Sequence, residues 1–559
     1  MPDDQSALPA RIISQQELSR GIIDPEGMLL PAQITRRRLL GSVPVLSGIA
    51  ASLPKLNGQR SDAAVTVYAP GPIDVRSATL FAFDDVSIPF RENLFVKMCS
   101  AEKYPGNPVL KHGTPGQPDE YCAKFYGSII RHEGRFKMWY VAGDSDGRKA
   151  ASRRPHSYYG WRPAYAESQD GIHWTKPNLG LVEYKGSRNN NLVLVDPPEV
   201  MGLQLIVLHE PNDPDPARRF KMMVSAAWAK GHTSVPLFSA DGLRWHTPRK
   251  VTPIDYRIQP EEFFVPVEHF EQSGLYKWQG MYCMTGQQID PWVWLPDGQL
   301  SGRAMTILHS RDFIHWPAAK TLAFTRYGYR PRPVGQGEEA HLPASIWHRD
   351  NVLLGIYGQW HGAVRTEDRS VDLGLLISND GYHFREPLPD FVFLPHGPKG
   401  VWDSRALLQG QAFEHIGDRT HIWYGSSSLF TGSAEESSTQ VGLATLRRDG
   451  FGYLSVRHPA APASLTTCAL RLRKGGKLSV NADGLSAESW LDVELLDERE
   501  IPIPAYSGEN CIAARRPGFN QPVSWKKTDW VDAAQPVRIR VRFQGNRRDS
   551  IRLYAIYVG

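Results

Sequence analysis

The chain has 559 residues, more than one small hydrophobic core serves, so two domains or one large repeat array are expected. Apolar residues make up 41% and charged residues 22%, a globular balance, and no run reaches the roughly 18 apolar residues that a membrane-spanning helix needs. The net charge of +5 is mild, no dense Lys/Arg tract marks a nucleic-acid surface, and the five cysteines lack the CxxC spacing of a zinc site.

At the N-terminus, 35-TRRRLLG-41 sets a twin arginine before two leucines, and the modestly apolar 42-SVPVLSGIAASLP-54 follows. This resembles a twin-arginine export signal behind a long polar leader. Residues 1–65 are therefore set apart from the fold, and the folded protein is expected in the periplasm or outside the cell. An oxidising compartment would allow Cys468 and Cys511 to bridge.

Beyond the leader, 49 glycines, 43 prolines and 10% aromatic residues favour short strands joined by turns. The first candidate strands are 126-YGSIIR-131 and 136-FKMWYVAG-143, followed by a turn, 168-SQDGIHW-174. The same order returns with 203–209, 220–227 and 239-SADGLRW-245, then with 263–270, 276-YKWQGMY-282 and 310-SRDFIHW-316. It returns again with 342–348, 352–358 and 378-SNDGYHF-384, and ends with 406–413, 421–427 and a worn copy, 448-RDGF-451. The turn aspartates Asp170, Asp241, Asp312, Asp380 and Asp449 are 71, 71, 68 and 69 residues apart. A sheet of three or four strands cannot bury both faces unless neighbours stack around an axis. The period therefore predicts an all-β chain whose residues 78–458 form a five-bladed β-propeller. In that frame the turn aspartate holds local amides, the glycine takes positive φ and the aromatic residue packs between blades.

The texture changes after 458. Segments 477–482, 490–497, 522–526, 537–543 and 551–558 alternate apolar and polar residues, which predicts a C-terminal β-sandwich over 460–559.

The turns 168-SQDGIHW-174 and 310-SRDFIHW-316 resemble those closing blades in the five-bladed glycoside hydrolases of families 32, 43, 62, 68 and 117. The run from Ala164 to Asn191 and the tail from Gly475 to Val558 resemble bacterial family-32-like glycosidases with an appended sandwich. The resemblance implies a glycosidase fold over roughly 78–559. The family-32 nucleophile, arginine–aspartate–proline and glutamate–cysteine motifs are absent, so it transfers no catalytic residue.

Glycoside cleavage needs two carboxyl groups across the scissile bond. Acids precede the first strand of every blade, in 118-PDEY-121, 198-PEV-200, 260-PEEF-263, 337-GEEAH-341 and 401-VWDSR-405. Glu120, Glu262, Glu339 and Asp403 are the catalytic candidates. Glu120 and Asp403 suit a nucleophile, base or stabiliser, and Glu262 or Glu339 suits the acid. Glu338 and Glu339 are adjacent on an extended chain and point opposite ways. Trp360, His361, His341 and Trp402 are candidate sugar contacts. Arg332 and Arg405 are placed to hold an anionic group or a structural ion pair.

The first reading is thus a cofactor-free, metal-free glycoside hydrolase acting on a poly- or oligosaccharide, a furanosidic one being an option. Phosphorolysis or transglycosylation on the same fold is an alternative, as is a carbohydrate-binding propeller without catalysis. A lyase stays open. A sialidase-type propeller fits less well, because its aspartate box has one more residue between Asp and Gly and its usual blade number is six.

Overall fold

The computed structural model describes residues 75–146, 160–200, 202–267, 270–288, 303–326, 338–363, 365, 368–427 and 439–559. The expected leader lies outside them. The described chain is a five-bladed β-propeller joined to a β-sandwich.

Blade I comprises Cys122–His132, Arg135–Gly143, Trp161–Ser168 and Trp174–Thr175. Blade II comprises Gly202–His209, Phe220–Trp228, Gly231–Ser239 and Arg244–His246, with Leu194–Asp196 added in parallel at its edge. Blade III comprises Glu271–Trp278, Met281–Gln288, Ala304–Ser310 and Thr321–Phe324. Blade IV comprises Glu339–Arg349, Val352–His361, Ser370–Ser378 and Val392–Leu394. Blade V comprises Leu407–Ile416, Arg419–Ser426 and Val441–Arg447, and its fourth strand is Glu102–Lys103 from upstream of blade I. The first strand of each blade touches that of the next, and the blade V strand returns to the blade I strand through a parallel bridge at Gln411 and Ser128.

The second strands show why these sequences read as apolar runs. In blade I, Met138, Tyr140 and Ala142 pack toward blade V, while Trp139 and Val141 pack toward blade II. A strand covered on both faces has no polar side to alternate with.

Every inner strand also shifts register against its partner: between Lys124 and Ser128, Gly202 and Leu205, Gln272 and Gly274, His341 and Ser345, and Gln409 and Phe413. Bulges add twist and free backbone groups from the ladder. Side chains of neighbouring blades take those groups up. The Val207 amide donates to Ser128 Oγ at 2.9 Å, and the Leu275 amide to Gln411 Oε1 at 2.8 Å.

The repeated turns fasten the rim. In the first, the Gly171 amide donates to Ser168 Oγ at 2.9 Å, and the Ile172 and His173 amides both donate to Asp170 Oδ1 at 2.8 Å. The same pattern of amide donors surrounds Asp241, Asp312 and Asp380. The preceding blade then bonds the turn: Trp423 Nε1 donates to the Gly171 carbonyl, Trp139 Nε1 to Gly242 and the Tyr276 hydroxyl to Gly381, at 2.8, 2.7 and 2.6 Å. The fifth copy has another task. Asp449 is buried and accepts from Arg349 of blade IV and, at 2.8 Å, from the Tyr557 hydroxyl of the sandwich.

One sandwich sheet contains Ala78–Phe81, Leu94–Met98, Gly452–Val456, Leu478–Asp483, Gly518–Pro522 and Arg552–Val558. The other contains Phe90–Glu92, Ser464–Thr466, Trp490–Leu496 and Arg538–Gln544. Residues 78–98, counted with the propeller from sequence, therefore lie in sandwich sheets. Cys468 and Cys511 are separate thiols, and Cys511 Sγ is turned to the Val493 carbonyl at 3.3 Å.

Gly381 holds a φ of 81°, and a Cβ there would meet the Trp278 indole at 2.4 Å. Gly381→Ala is expected to cost about 1–3 kcal/mol. Asp170→Ala removes only the turn's acceptor and is expected to cost about 1 kcal/mol. Urea unfolding midpoints of the two variants measure the difference.

Candidate active site

Glu271 and Glu339 are the first residues of the inner strands of blades III and IV, so adjacent blades present two carboxylates at the same end of the ring. Glu271 accepts from Gln287 Nε2 at 2.7 Å, and His232 Nε2 of blade II stands 3.8 Å from it. Glu339 lies 3.4 Å from Arg303 Nε. The same guanidinium covers the Trp360 ring at 4.3 Å, and His341 packs beside Trp360 with ring centroids 5.3 Å apart. Lys124 of blade I extends over the Tyr126 ring at 5.1 Å.

Just inside this mouth each blade contributes one polar residue at its bulge: Tyr126, Gln204, Gln272, His341 and Gln409. All five are more than nine-tenths buried. The Tyr126 hydroxyl, Gln204 Oε1, Gln272 Nε2, His341 Nδ1 and both amide atoms of Gln409 have no hydrogen-bond partner among the described residues. An unsatisfied buried polar group costs about 1–3 kcal/mol, so such groups persist where a ligand or ordered water completes them. One per blade, at the bulge of each inner strand, they make a hydrogen-bonding ring that mixes donors and acceptors.

The electrostatics link the ring to the mouth. Burial, then the charges of Arg303 and Lys124, hold His341 well below the usual imidazole range, so it is neutral, with one ring nitrogen donating and one accepting. Burial also lowers the Lys124 pKa, against the opposing field of Glu271.

Of the residues expected from sequence, the structure brings Glu339, His341 and Trp360 together here. Trp360 is 4% exposed and capped by Arg303, which makes it a wall rather than an open stacking platform.

The others are engaged elsewhere. Glu120 accepts from Ser145 Oγ and, at 2.6 Å, from the Gly116 amide, with Lys185 Nζ at 3.7 Å. The Ser145 bond, then the Gly116 amide, bring its pKa down to about 2. Glu262 caps the short turn Pro260–Glu262 and accepts from the Thr252 amide at 2.6 Å. Asp403 is buried, 2.6 Å from Lys103 Nζ, and takes the Tyr424 hydroxyl at 2.9 Å. Asp119 repeats that arrangement in blade I, with Lys176 at 2.5 Å and Tyr140 at 2.8 Å. The same carboxylate–tyrosine–lysine set thus occurs within blade I and within blade V. Trp402 packs on Tyr424, centroids 5.7 Å apart.

His361 bridges two acids, with Nδ1 at 2.8 Å from Glu338 and Nε2 at 3.2 Å from Asp372. Asp372 in turn meets His396 Nδ1 at 2.6 Å, and Glu338 meets Arg326 at 3.2 Å. Burial opposes the charge on His361, but the bonds to Asp372 and Glu338 outweigh it and raise its pKa to about 9. Arg405 sits at a φ of 66°, and its carbonyl accepts from the Val371 amide at 2.7 Å. Arg332 lies outside the described residues.

Glu271 and Arg303 escaped the sequence reading. The run 276-YKWQGMY-282, one strand by its apolar pattern, is broken in the structure: Gln279 and Gly280 hold φ of 47° and 81° and turn a tight hairpin. The inner strand of blade III therefore begins at Glu271, which displaces attention from Glu262. The Gln-Gly pair between two apolar runs was the available signal.

A second cavity, of about 690 Å³, opens at the far end of blades II and III beside His209, Glu210, Asp213, Lys277 and Arg311. Much of its charge is internally paired: buried Lys221 holds Glu210 and Asp213 at 2.8 and 2.5 Å, and Lys277 holds Glu210 at 2.8 Å.

No family model matches the chain, and no curated protein matches it. Among solved structures it is similar to an N-acetylgalactosamine deacetylase from F. plautii, at 15% identity over 61% of this chain and 96% of that one, TM-score 0.40. It is similar to a β-1,2-mannobiose phosphorylase from Listeria innocua, at 13% identity over 62% and 96%, TM-score 0.39. It is also similar to a family 43 arabinoxylan arabinofuranohydrolase from Bacillus subtilis, at 9% identity over 80% and 98%, TM-score 0.35. Likeness at this level assigns neither activity nor substrate.

A His361 pKa raised to about 9 contributes stability that is full below its unfolded value of about 6.5 and is lost as pH rises through about 9. His361→Gln is expected to flatten the fall in unfolding midpoint between those two pH values, measured by thermal melts across the range. Glu120 runs the other way. Its contribution is present above about pH 4.5 and is lost as pH falls toward about 2, so Glu120→Gln is expected to soften the acid limb of the same melts.

Proposed function

We propose that the chain is a glycoside hydrolase whose substrate enters the propeller channel at the Glu271–Glu339 end. The observation that carries this reading is the pairing of two features: carboxylates on adjacent inner strands, and directly inside them a five-residue ring of uncompleted hydrogen-bonding groups. A sugar presents hydroxyls that both donate and accept, which suits a ring of that mixed character. The buried Tyr126, Leu342 and Leu408, which pack together on the inner strands, and Trp360 at the wall supply apolar surface for the ring carbons.

In this reading one glutamate protonates the leaving oxygen, and the other attacks the anomeric carbon or activates water. Arg303 stands against Glu339 and lines the same wall, so it is positioned to orient that carboxylate and to bind an electron-rich oxygen. His341, neutral, offers one donor or acceptor to a hydroxyl without adding charge. The twin-arginine-type segment at 35-TRRRLLG-41 supports an exported enzyme that meets its glycan outside the cytoplasm.

The test is a panel of oligosaccharides and aryl glycosides assayed with the intact chain, Glu271→Gln and Glu339→Gln. Each variant is expected to lose roughly 10²–10⁴-fold in kcat on the cleaved glycan while melting near the parent temperature. The variant of the acid is expected to keep more activity on aryl glycosides with good leaving groups. Activity within a few-fold of the parent in both variants would reject the site. Cleavage only with added phosphate would make the enzyme a phosphorylase, and binding without cleavage would make it a lectin-like propeller.

A further inference from the structure

The mouth of the channel contains a cation that the framework does not use. Lys124 is the third residue of the blade I inner strand and is only partly exposed. Among the described residues it makes no ion pair and no hydrogen bond; its neighbours are two ring faces, Tyr126 at 5.1 Å and Trp161 at 5.9 Å. Other lysines of the propeller rim behave differently: Lys103 is tied to Asp403 and Lys176 to Asp119, both at 2.6 Å or less. Half-buried ammonium groups are costly without a counter-charge, and ring faces compensate only in part.

Three further groups around it are also incomplete. The Tyr126 hydroxyl and Arg303 Nη1 are buried without a partner, and so is His341 Nδ1. Arg303 already shares Nε with Glu339, so its charge is spoken for, while Nη1 remains a donor in place. His341 feels both Arg303 and Lys124, and Tyr126 feels Arg303 and Glu271, so the four groups occupy one electrostatic neighbourhood. The mouth thus holds a paired Arg303–Glu339, a Glu271 carboxylate bonded to the neutral Gln287 amide and reaching Lys124 only through its field, a neutral imidazole and one ammonium without a direct ion pair.

From this we propose that Lys124, with Tyr126, Arg303 and His341, forms an oxyanion-recognising subsite, and that the substrate is an acidic glycan carrying a sugar carboxylate, as in a uronic acid. This rests on the proposed hydrolase reading for its setting. An ammonium without a direct ion pair, with Glu271 and Glu339 close by, suits a singly charged carboxylate better than phosphate, which carries more than one charge at neutral pH. The hydroxyl of Tyr126 and the Nη1 of Arg303 then donate to the two carboxylate oxygens or to their neighbours, and Lys124 supplies the charge.

The experiment compares one acidic oligosaccharide with the same oligosaccharide after chemical reduction of its carboxyl groups, using the intact chain, Lys124→Met and Lys124→Arg. The parent is expected to favour the acidic form by at least roughly 30-fold in kcat/KM, chiefly through KM, and increasingly so at low salt. Lys124→Met is expected to erase most of that preference, and Lys124→Arg to restore part of it. Equal use of acidic and reduced glycans by the parent overturns the proposal, as does an equal loss on both glycans in Lys124→Met with no rescue by Lys124→Arg. Cleavage of neutral glycans that requires inorganic phosphate, and is lost in Lys124→Met, overturns the carboxylate assignment and gives the charge to phosphate.

A parallel calorimetric titration of Glu339→Gln with glucuronate, galacturonate, glucose and galactose separates this proposal from the hydrolase reading. Binding of a uronate but not its neutral counterpart, lost on adding Lys124→Met, upholds the subsite even where no glycan is cleaved. No preference for either uronate, in a variant whose melt matches the parent's, overturns it.

Discussion

A four-stranded antiparallel sheet has two apolar faces and can bury both only between two other sheets. That constraint governs the propeller. Each blade is a wall for its neighbours, so the second strands lose their polar alternation and five interblade cores replace a single centre. A ring of walls also needs a seam. The strand Glu102–Lys103 closes it by completing blade V from the N-terminal side, and Leu110 bridges to Val441 beside it. The sandwich is stitched the same way, since strands from both ends of the described chain share its sheets, and Asp449 pins it to blades IV and V.

The geometry of closure also makes the candidate site. Five inner strands converging on an axis are too crowded for regular ladders, and each one bulges. The bulges aim backbone groups sideways into neighbouring blades, where Ser128, Gln411 and Thr285 receive them. The side chains at the bulges form the polar ring, while the strand starts above them hold Glu271 and Glu339. Framework and ring are thus separated by only two or three residues along each inner strand. The repeated pairs Asp119 with Tyr140 and Asp403 with Tyr424 use the same residue types a short distance away.

Much of the fold was legible because the repeated turn is local chemistry. Ser, Asp and Gly meet their own amides within a few residues, so the pattern survives in one dimension and measures out the blades. The limit shows in blade III. There the Gln279–Gly280 hairpin lies inside an apolar run, and reading 276–282 as one strand shifted the blade by one element. Glu262 was thereby put where Glu271 stands. Glu120 precedes its strand as expected, but Ser145 and the Gly116 amide bond it in the loop, and nothing in a single sequence announces those partners.

The sequence by itself determined the all-β class, the five-fold period, the change of texture into the sandwich and the presence of acids near every inner strand, because each is written in residues close together along the chain. Only the tertiary structure decided that residues 78–98 belong with the sandwich and that Asp403 meets Lys103 and Tyr424. The convergence of Glu271, Glu339, Arg303 and Lys124 also waited on the closed ring. Those four come from three blades and are brought to one mouth by ring closure, a relation between distant strands that depends on how apolar faces pair and not on any local pattern.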